Sequence, residues 1–188
     1  MNTFTILIKC LYFRIAFNTL RNLRVDFMIY FKETSVCQIG IEEKDGFITK
    51  TVFENSSSNS GESCHFDAAS APAAVVEAFS QLEEYFSGER KEFTVPLAPA
   101  GTPFMKNVWE ALCTIPYGKT ATYKEIANAV GNPKACRAVG MANNKNPIAI
   151  FIPCHRVIGS SGKLVGYAGG TDVKQKLLIL ENENFLEK

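Results

Sequence analysis

The sequence has few histidines and no closely spaced pair of cysteines. Only His65 and His155 occur among its 188 residues, and none of the six cysteines forms a CxxC spacing. A disulfide framework is therefore not indicated. A zinc site would have to combine scattered thiols with one spare imidazole, so we expect no metal. Several cysteines lie in apolar stretches, which indicates reduced thiols in a cytoplasmic protein.

The sequence also lacks a long uncharged apolar run. The apolar opening stretch, residues 1–27, is interrupted by Lys9 and Arg14, whereas a membrane-spanning helix needs roughly 20 consecutive apolar residues. The order of charge and apolar residues differs from that of a secretory signal. We expect no membrane segment and interpret residues 1–27 as an extension outside the fold, with Met28 as a candidate start. The alternative is an added helix packed on the core.

Charge is divided unevenly along the chain. Residues 28–102 carry 5 Lys and Arg against 12 Asp and Glu, whereas residues 103–180 carry 10 against 3. The basic second half favours contact with a polyanion, although an uneven surface without a partner fits the charge equally well.

The first half has the pattern of a small sheet with one helix. Alternation and turn signals predict strands over 28–33, 37–43 and 47–53, a hairpin turn at 44–46 and a polar loop over 54–63. We interpret His65, which follows that polar stretch, as a surface residue. A helix is predicted over 71–89, with Val75, Phe79, Leu82 and Phe86 on its buried face.

The stretch VPLAPAGTPF, rich in proline, predicts a domain boundary. We expect an N-terminal extension over 1–27, a sheet-plus-helix domain over 28–98 and a mainly helical domain over 99–188, which together make an α+β fold.

The second half contains a helix-turn-helix pattern. A first helix begins at the capping residue Thr102, and a short helix begins at Thr122. Gly131 provides a tight turn, and Pro133 is expected to start a second helix that runs to about Asn143.

This second helix is unusually rich in small residues. Such a helix allows close backbone approach but cannot read a row of base edges, which favours a minor groove without sequence readout. The alternative is a helical hairpin that binds no DNA. The residues concerned are Ala135, Cys136, Ala138, Gly140 and Ala142, with the single arginine Arg137.

The stretch IPCHRVIG places Cys154 directly before His155. A thiol reacts as thiolate, and a nearby base raises the thiolate fraction. We expect an extended segment whose neighbouring side chains diverge, so that a water would link sulphur and imidazole. Glu181 is available as an orienting carboxylate. A structural cysteine beside a hydrogen-bonded histidine is the other interpretation.

The segment from Asn132 to Gly170 resembles the O6-alkylguanine-DNA alkyltransferases, whose Pro-Cys-His-Arg-Val signature stands at 153–157. The resemblance extends from Thr102 to Phe185, and the part from Met28 onward is similar to the N-terminal domain of that family. It implies a ribonuclease-H-like first domain and a winged-helix-like second domain.

The resemblance implies roles for five catalytic residues. Cys154 would take the alkyl group from O6 of guanine irreversibly, in a single turnover. His155 would draw off the thiol proton through a water, with Glu181 holding the imidazole. Tyr123 would donate toward the departing purine, and Asn146 would brace the active-site turn.

The resemblance also implies how damaged DNA is bound. Arg137 would fill the gap left by a flipped nucleotide. The residues implied at the DNA are Ala135, Ala138 and Tyr123, and those implied in the substrate pocket are Val157, Tyr167 and Ala168. Ala168 stands where some members have Ser, which leaves the range of accepted alkyl groups open.

The expected partner is double-stranded DNA carrying O6-alkylguanine, mainly O6-methylguanine, with O4-methylthymine as a further candidate. We expect a monomer that needs no cofactor. Two other functions are weighed against repair: a non-catalytic helix-turn-helix binder, and a thiol hydrolase, for which the sequence reveals no oxyanion hole.

Overall fold

The computed structural model describes residues 28–53, 62–183 and 185. The extension predicted over residues 1–27 and most of the predicted polar loop lie outside this part of the chain. Among the described residues, no helix is both long enough and apolar enough to cross a membrane.

The first half forms a four-stranded sheet. Its strands are β1 (Met28–Glu33), β2 (Gln38–Lys44), β3 (Phe47–Phe53) and β4 (Glu62–His65). They lie in the order β3-β2-β1-β4, with β1–β2 and β2–β3 antiparallel and β4 parallel to β1. His65 is exposed as expected but ends a strand, because its segment pairs with β1 instead of continuing the loop.

Helix α1 (Ala73–Phe86) covers this sheet. The predicted apolar face is buried, with Val75 and Leu82 fully enclosed. Gly88 follows the helix at φ 81°, a conformation that favours glycine. The helix also buries Tyr85, whose hydroxyl reaches into the second half of the chain.

The second half is mainly helical. It contains α2 (Pro103–Cys113), α3 (Tyr123–Ala129), α4 (Cys136–Asn144) and α5 (Thr171–Glu181). Two short strands, β5 (Ala121–Thr122) and β6 (Val157–Ile158), pair in parallel between them. Together with the first half, this arrangement confirms the predicted α+β class.

The predicted helix starts are correct for α2 and α3 but wrong for α4. The Thr102 side chain accepts from the Met105 N–H, and Thr122 forms a capping box with Glu125. Pro133 lies in a turn instead, and α4 begins at Cys136. The reason is local: the Ala135 N–H donates to the Asn132 carbonyl at 2.9 Å, which closes a turn ahead of the helix.

Strand β3 is tied to the loop that precedes Cys154. The Thr51 N–H donates to the Pro147 carbonyl at 2.8 Å. Its hydroxyl donates to the Ala149 carbonyl at 3.2 Å. The first half therefore supports the backbone that carries the candidate nucleophile.

Candidate active site

The backbone ahead of Cys154 folds back on itself around Asn146. The Asn146 amide nitrogen donates to the Ile152 carbonyl at 2.9 Å, and its oxygen accepts from the Ile148 N–H at 3.1 Å. Within this bend, Ile150 has φ 75°, a left-handed conformation that a β-branched residue rarely adopts. Asn146 thus holds a strained reversal that aims the next residues inward.

Cys154 and His155 lie in a single turn of 3-10 helix, so the predicted extended conformation is wrong. The Arg156 N–H donates to the Pro153 carbonyl at 3.1 Å, and this bond closes the turn. The Cys154 N–H donates to the Ile152 carbonyl at 2.8 Å. These two bonds hold the backbone on both sides of His155 and so help to fix the direction of the thiol.

The Cys154 thiol is buried, with only 3% of the residue exposed. Burial raises the pKa of the thiol to about 11, although a hydrogen bond from Asn146 and the charge of Lys174 oppose the rise. At neutral pH the resting sulphur is therefore protonated. A base must remove the proton before the sulphur can act as a nucleophile.

His155 is fully buried, and its Nε2 lies 2.9 Å from Glu181 Oε1. An ionised carboxylate only accepts hydrogen bonds, so Nε2 carries the proton and donates it to Glu181. The lone pair of the neutral ring then lies on Nδ1, which is buried and has no hydrogen-bond partner among the described residues. Burial lowers the pKa of His155 below its ordinary value, although the Glu181 charge opposes this. The imidazole is thus kept neutral and able to accept a proton.

The Glu181 carboxylate accepts hydrogen bonds from several directions. Burial alone would raise its pKa, but bonds from His155, Arg156 and Tyr85 outweigh burial and bring the pKa to about 2. The Arg156 guanidinium contacts both carboxylate oxygens at 2.9–3.1 Å. The Gly118 N–H donates to Oε2 at 3.1 Å. The carboxylate therefore stays ionised inside the protein.

A buried lysine ties the site to the loop that follows it. Lys174 on α5 is fully buried, and its Nζ donates to the carbonyls of Val157 at 2.6 Å and Val165 at 3.0 Å. Burial lowers the pKa of this ammonium group, although the neighbouring Cys154 opposes the shift. The predicted pocket residue Val157 is itself fully buried, and it pairs with Ala121 between β5 and β6.

The loop after β6 places the ring of Tyr167 against that of His155. The two rings meet edge to face with centroids 6.4 Å apart, and Tyr167 also packs on Phe53 at 5.5 Å. Its hydroxyl oxygen is buried and has no hydrogen-bond partner in the described part of the chain. Ala168, the next residue, is exposed.

A cavity of about 410 Å³ opens between α4 and this loop. Its volume lies in the range of small-molecule sites. Two predicted site residues, Tyr123 and Arg137, line the cavity. The other predicted pocket residues and Cys154 are not among the described residues of its walls, which are Tyr123, Cys136, Arg137, Gly140, Asn143, Asn144, Val165 and Gly166.

The cavity adjoins the buried thiol through two of its walls. The Asn143 amide nitrogen donates to the Cys154 carbonyl at 3.5 Å. Burial and the neighbouring Cys154 raise the pKa of the Tyr123 phenol, so Tyr123 remains a hydrogen-bond donor at neutral pH. A flat ring in this cavity would lie beside the turn that carries the sulphur.

Of the residues predicted to meet DNA, Arg137 and Ala138 lie on α4, Ala135 lies just before it, and Tyr123 begins α3. Arg137 and Ala138 are exposed, and Ala135 is half-buried. Met141 on the same helix is 60% exposed. The small side chains therefore form an open surface at the mouth of the cavity.

Sequence analysis missed several polar residues that hold the site together. It gave no role to Arg156, Tyr85, Lys174 or Asn143. Arg156 was visible within the signature, and Lys174, which lies at helical spacing from Leu177 and Leu178 of α5, was a further signal. Tyr85 was not recoverable, because its partner Glu181 lies 96 residues away along the chain.

A metal centre is not indicated by the geometry. Within the ranges that the structure describes, no group of three or more His, Cys, Asp or Glu side chains could hold an ion. The described cysteines, Cys37, Cys64, Cys113, Cys136 and Cys154, are free thiols.

Comparison with known proteins gives consistent matches to both halves. Residues 28–99 match the family described as 6-O-methylguanine DNA methyltransferase, ribonuclease-like domain. Residues 103–183 match the DNA binding domain of the same methyltransferases.

Individual relatives are described as methylated-DNA–protein-cysteine methyltransferases. A methylated-DNA–protein-cysteine methyltransferase of Methanosarcina barkeri is 66% identical over 108 residues, which are 57% of this chain and 68% of the relative. The constitutive enzyme of Bacillus subtilis is 55% identical over 115 residues, covering 61% and 70% of the two chains. The crystal structure of Mycobacterium tuberculosis OGT in complex with DNA superimposes with a TM-score of 0.74 at 42% identity, over 83% of this chain and 93% of the other.

Proposed function

Because the chain belongs to the 6-O-methylguanine DNA methyltransferase family, we propose that it repairs O6-alkylguanine in DNA by transferring the alkyl group to Cys154. The observation that carries this assignment is the buried hydrogen-bonded pair of His155 and Glu181, with His155 next to Cys154 in the same turn. In this arrangement the carboxylate holds Nε2–H, and the free Nδ1 is the base.

The proposed step begins with loss of the thiol proton to His155, through a bridging water. The sulphur then attacks the alkyl carbon, an S–C bond forms, and the C–O6 bond breaks with its electron pair leaving on the purine. Tyr123 donates toward that purine and offsets its poor leaving ability. The thioether does not reverse, so each molecule acts once.

Burial opposes this proton transfer, because it raises the pKa of Cys154 and lowers that of His155, and charged neighbours counteract that effect. Transfer from sulphur to imidazole creates a positive charge next to Glu181, which a nearby ionised carboxylate stabilises more strongly in a dry site than in water. Lys174 and Asn146 stabilise the negative charge that develops on sulphur. The two developing charges therefore have separate partners.

The DNA is proposed to contact the exposed surface of α4. The target oxygen lies within the base stack, so the nucleotide must be flipped out, at a cost of a few kcal/mol. Ala135 and Ala138 allow close approach of the helix, and Arg137 fills the space that the nucleotide leaves. The flipped base occupies the cavity between Tyr123 and Val165.

Finer properties are proposed on the same basis. The protein acts as a cytoplasmic monomer, without a cofactor, on duplex DNA carrying O6-methylguanine. Asn146 braces the active-site turn, while Val157, Tyr167 and Ala168 border the reacting alkyl group. Transfer from O4-methylthymine would be measured separately, since this base offers a different set of hydrogen-bonding groups.

The assignment is tested with duplex DNA that is radiolabelled on the O6-methyl group of guanine. We expect about one label per protein molecule, which is the stoichiometry of nucleophilic transfer without turnover. Cys154→Ala should take up no label, whereas the matched variant Cys113→Ala, which removes an exposed thiol, should label fully.

Two outcomes would contradict the proposal. DNA binding without transfer would indicate a non-catalytic binder, and multiple turnovers on an ester or amide substrate would indicate a thiol hydrolase.

A further inference from the structure

Tyr85 is the side chain of α1 that reaches the catalytic pair from the first half of the chain. It is fully buried, its hydroxyl donates to Glu181 Oε1 at 2.6 Å, and the same oxygen lies 3.4 Å from His155 Nε2. Its ring packs edge to face on Tyr117 and at 5.1 Å on Phe93, which fixes where the hydroxyl can point.

We propose that Tyr85 is a positioning residue for alkyl transfer, which holds the Glu181 carboxylate and keeps the His155 imidazole neutral. This inference rests on the proposed function, because it concerns the base that accepts the Cys154 proton. It assigns a part in the chemistry to the ribonuclease-like half.

The hydroxyl is a permanent donor. Burial, and then the Glu181 charge, raise the pKa of Tyr85 well above its ordinary value, so the phenol stays protonated. Its proton points at Oε1, the same oxygen that accepts from His155 Nε2. Tyr85 and His155 therefore donate to the same carboxylate oxygen, and each of the two hydrogen bonds weakens the other.

The geometry fixes the direction of the effect. The Tyr85 hydroxyl oxygen lies 2.6 Å from Glu181 Oε1 and 3.4 Å from His155 Nε2, and Nε2 lies 2.9 Å from Oε1. Because the hydroxyl hydrogen points at Oε1, it lies nearer to the imidazole than the hydroxyl oxygen does. The positive end of the O–H dipole thus opposes protonation of His155. Removing the hydroxyl leaves Glu181 with more uncompensated charge and should raise the pKa of His155.

The other groups around the pair would remain in place. The titratable and charged side chains that surround His155 and Glu181 are Tyr85 on α1, Tyr117 ahead of β5, Cys154 and Arg156 in the turn, Tyr167 in the following loop and Lys174 on α5. Among these surrounding side chains, Arg156 and Lys174 carry positive charge. The negative charge next to His155 is that of Glu181 itself.

The test compares Tyr85→Phe with Tyr117→Phe. Tyr117 belongs to the same aromatic cluster, but its hydroxyl donates to the Leu180 carbonyl at 3.1 Å and not to the carboxylate. The first measurement is the titration of His155 by NMR. The chain has only one other histidine, His65, which is exposed and serves as an internal reference.

We expect Tyr85→Phe to raise the pKa of His155 by about half to one unit, a fraction of the strength of a hydrogen bond to a charged group. His65 should not move, and Tyr117→Phe should leave His155 unchanged. The rate of alkyl transfer should fall more near the titrated pKa of wild-type His155 than about two pH units above it, because only the neutral imidazole accepts a proton.

An unshifted His155 would overturn the proposal, as would a rate loss equal at both pH values or an equal shift in Tyr117→Phe. These outcomes would reduce Tyr85 to a packing residue. If the wild-type protein takes no alkyl group from DNA, the proposed function is wrong, whereas the titration of His155 still decides whether Tyr85 controls the imidazole.

Discussion

Replacing Glu181 with glutamine should destabilise the protein and change how its stability depends on pH. The substitution keeps the shape of the side chain but removes the charge that pairs with Arg156 and His155. Hydrogen bonds bring the pKa of Glu181 from its ordinary value of 4.5 to about 2. At about 1.4 kcal/mol per pKa unit, the native carboxylate contributes about 3 kcal/mol. Breaking a buried ion pair costs a similar 3–5 kcal/mol, roughly.

The sign follows from the direction of the shift. A carboxyl group whose folded pKa is depressed stabilises the protein above its unfolded pKa, and that stability is lost as pH falls through the folded pKa. The wild-type free energy of unfolding should therefore decrease between pH 4.5 and about 2 because Glu181 takes up a proton. A second decrease in the free energy of unfolding begins near pH 6.5, where histidine in the unfolded chain gains its proton. This decrease should remain in Glu181→Gln, because burial still lowers the pKa of His155.

Urea unfolding of the wild type and Glu181→Gln over this pH range measures both effects. The variant should lose about 3 kcal/mol at neutral pH and should lack the step that belongs to Glu181. Its alkyl transfer should slow by about 100-fold, within the range of general-base contributions. A loss below about 1 kcal/mol, or an unchanged step between pH 4.5 and 2, would refute the reasoning.

Two further predictions concern DNA and the reaction product. Arg137→Ala should slow repair of alkylated duplex by more than it slows reaction with free O6-alkylguanine, because the arginine is proposed to act on the stack; equal losses in a rate assay would remove that role. Alkylated protein should melt a few degrees below unreacted protein in calorimetry, since an added methyl group at a residue that is 3% exposed costs about 1–3 kcal/mol of overpacking. An unchanged melting temperature would show that the site has room for the product.

Much of the fold could be predicted because its signals are local. The alternation in β1 to β3 and the capping residues Thr102 and Thr122 each involve groups within a few positions of one another. The start of α4 was predicted too early, since a proline is equally compatible with the first turn of a helix and with the turn before it. Strands β5 and β6 have two residues each, too few to show any periodicity.

The candidate site was predicted less completely than the fold. Glu181 was identified as a partner for His155, and the hydrogen bond between them is present. The predicted extended conformation of Cys154 and His155 was wrong. The turn is closed by a hydrogen bond between the flanking residues Pro153 and Arg156, which the alternation of side chains does not reveal. The contribution of Tyr85 requires two halves to pack together, and no pattern along the chain contains that information.

Burial of the Cys154 sulphur also affects how readily the protein is inactivated by side reactions. A molecule that, as proposed, reacts only once is lost whenever its nucleophile reacts with a stray electrophile or peroxide. Oxidants and small alkylating agents attack exposed thiolates, whereas this thiol is enclosed and carries its proton. The low reactivity of the enclosed, protonated thiol thus keeps each molecule intact until it meets an alkylated base.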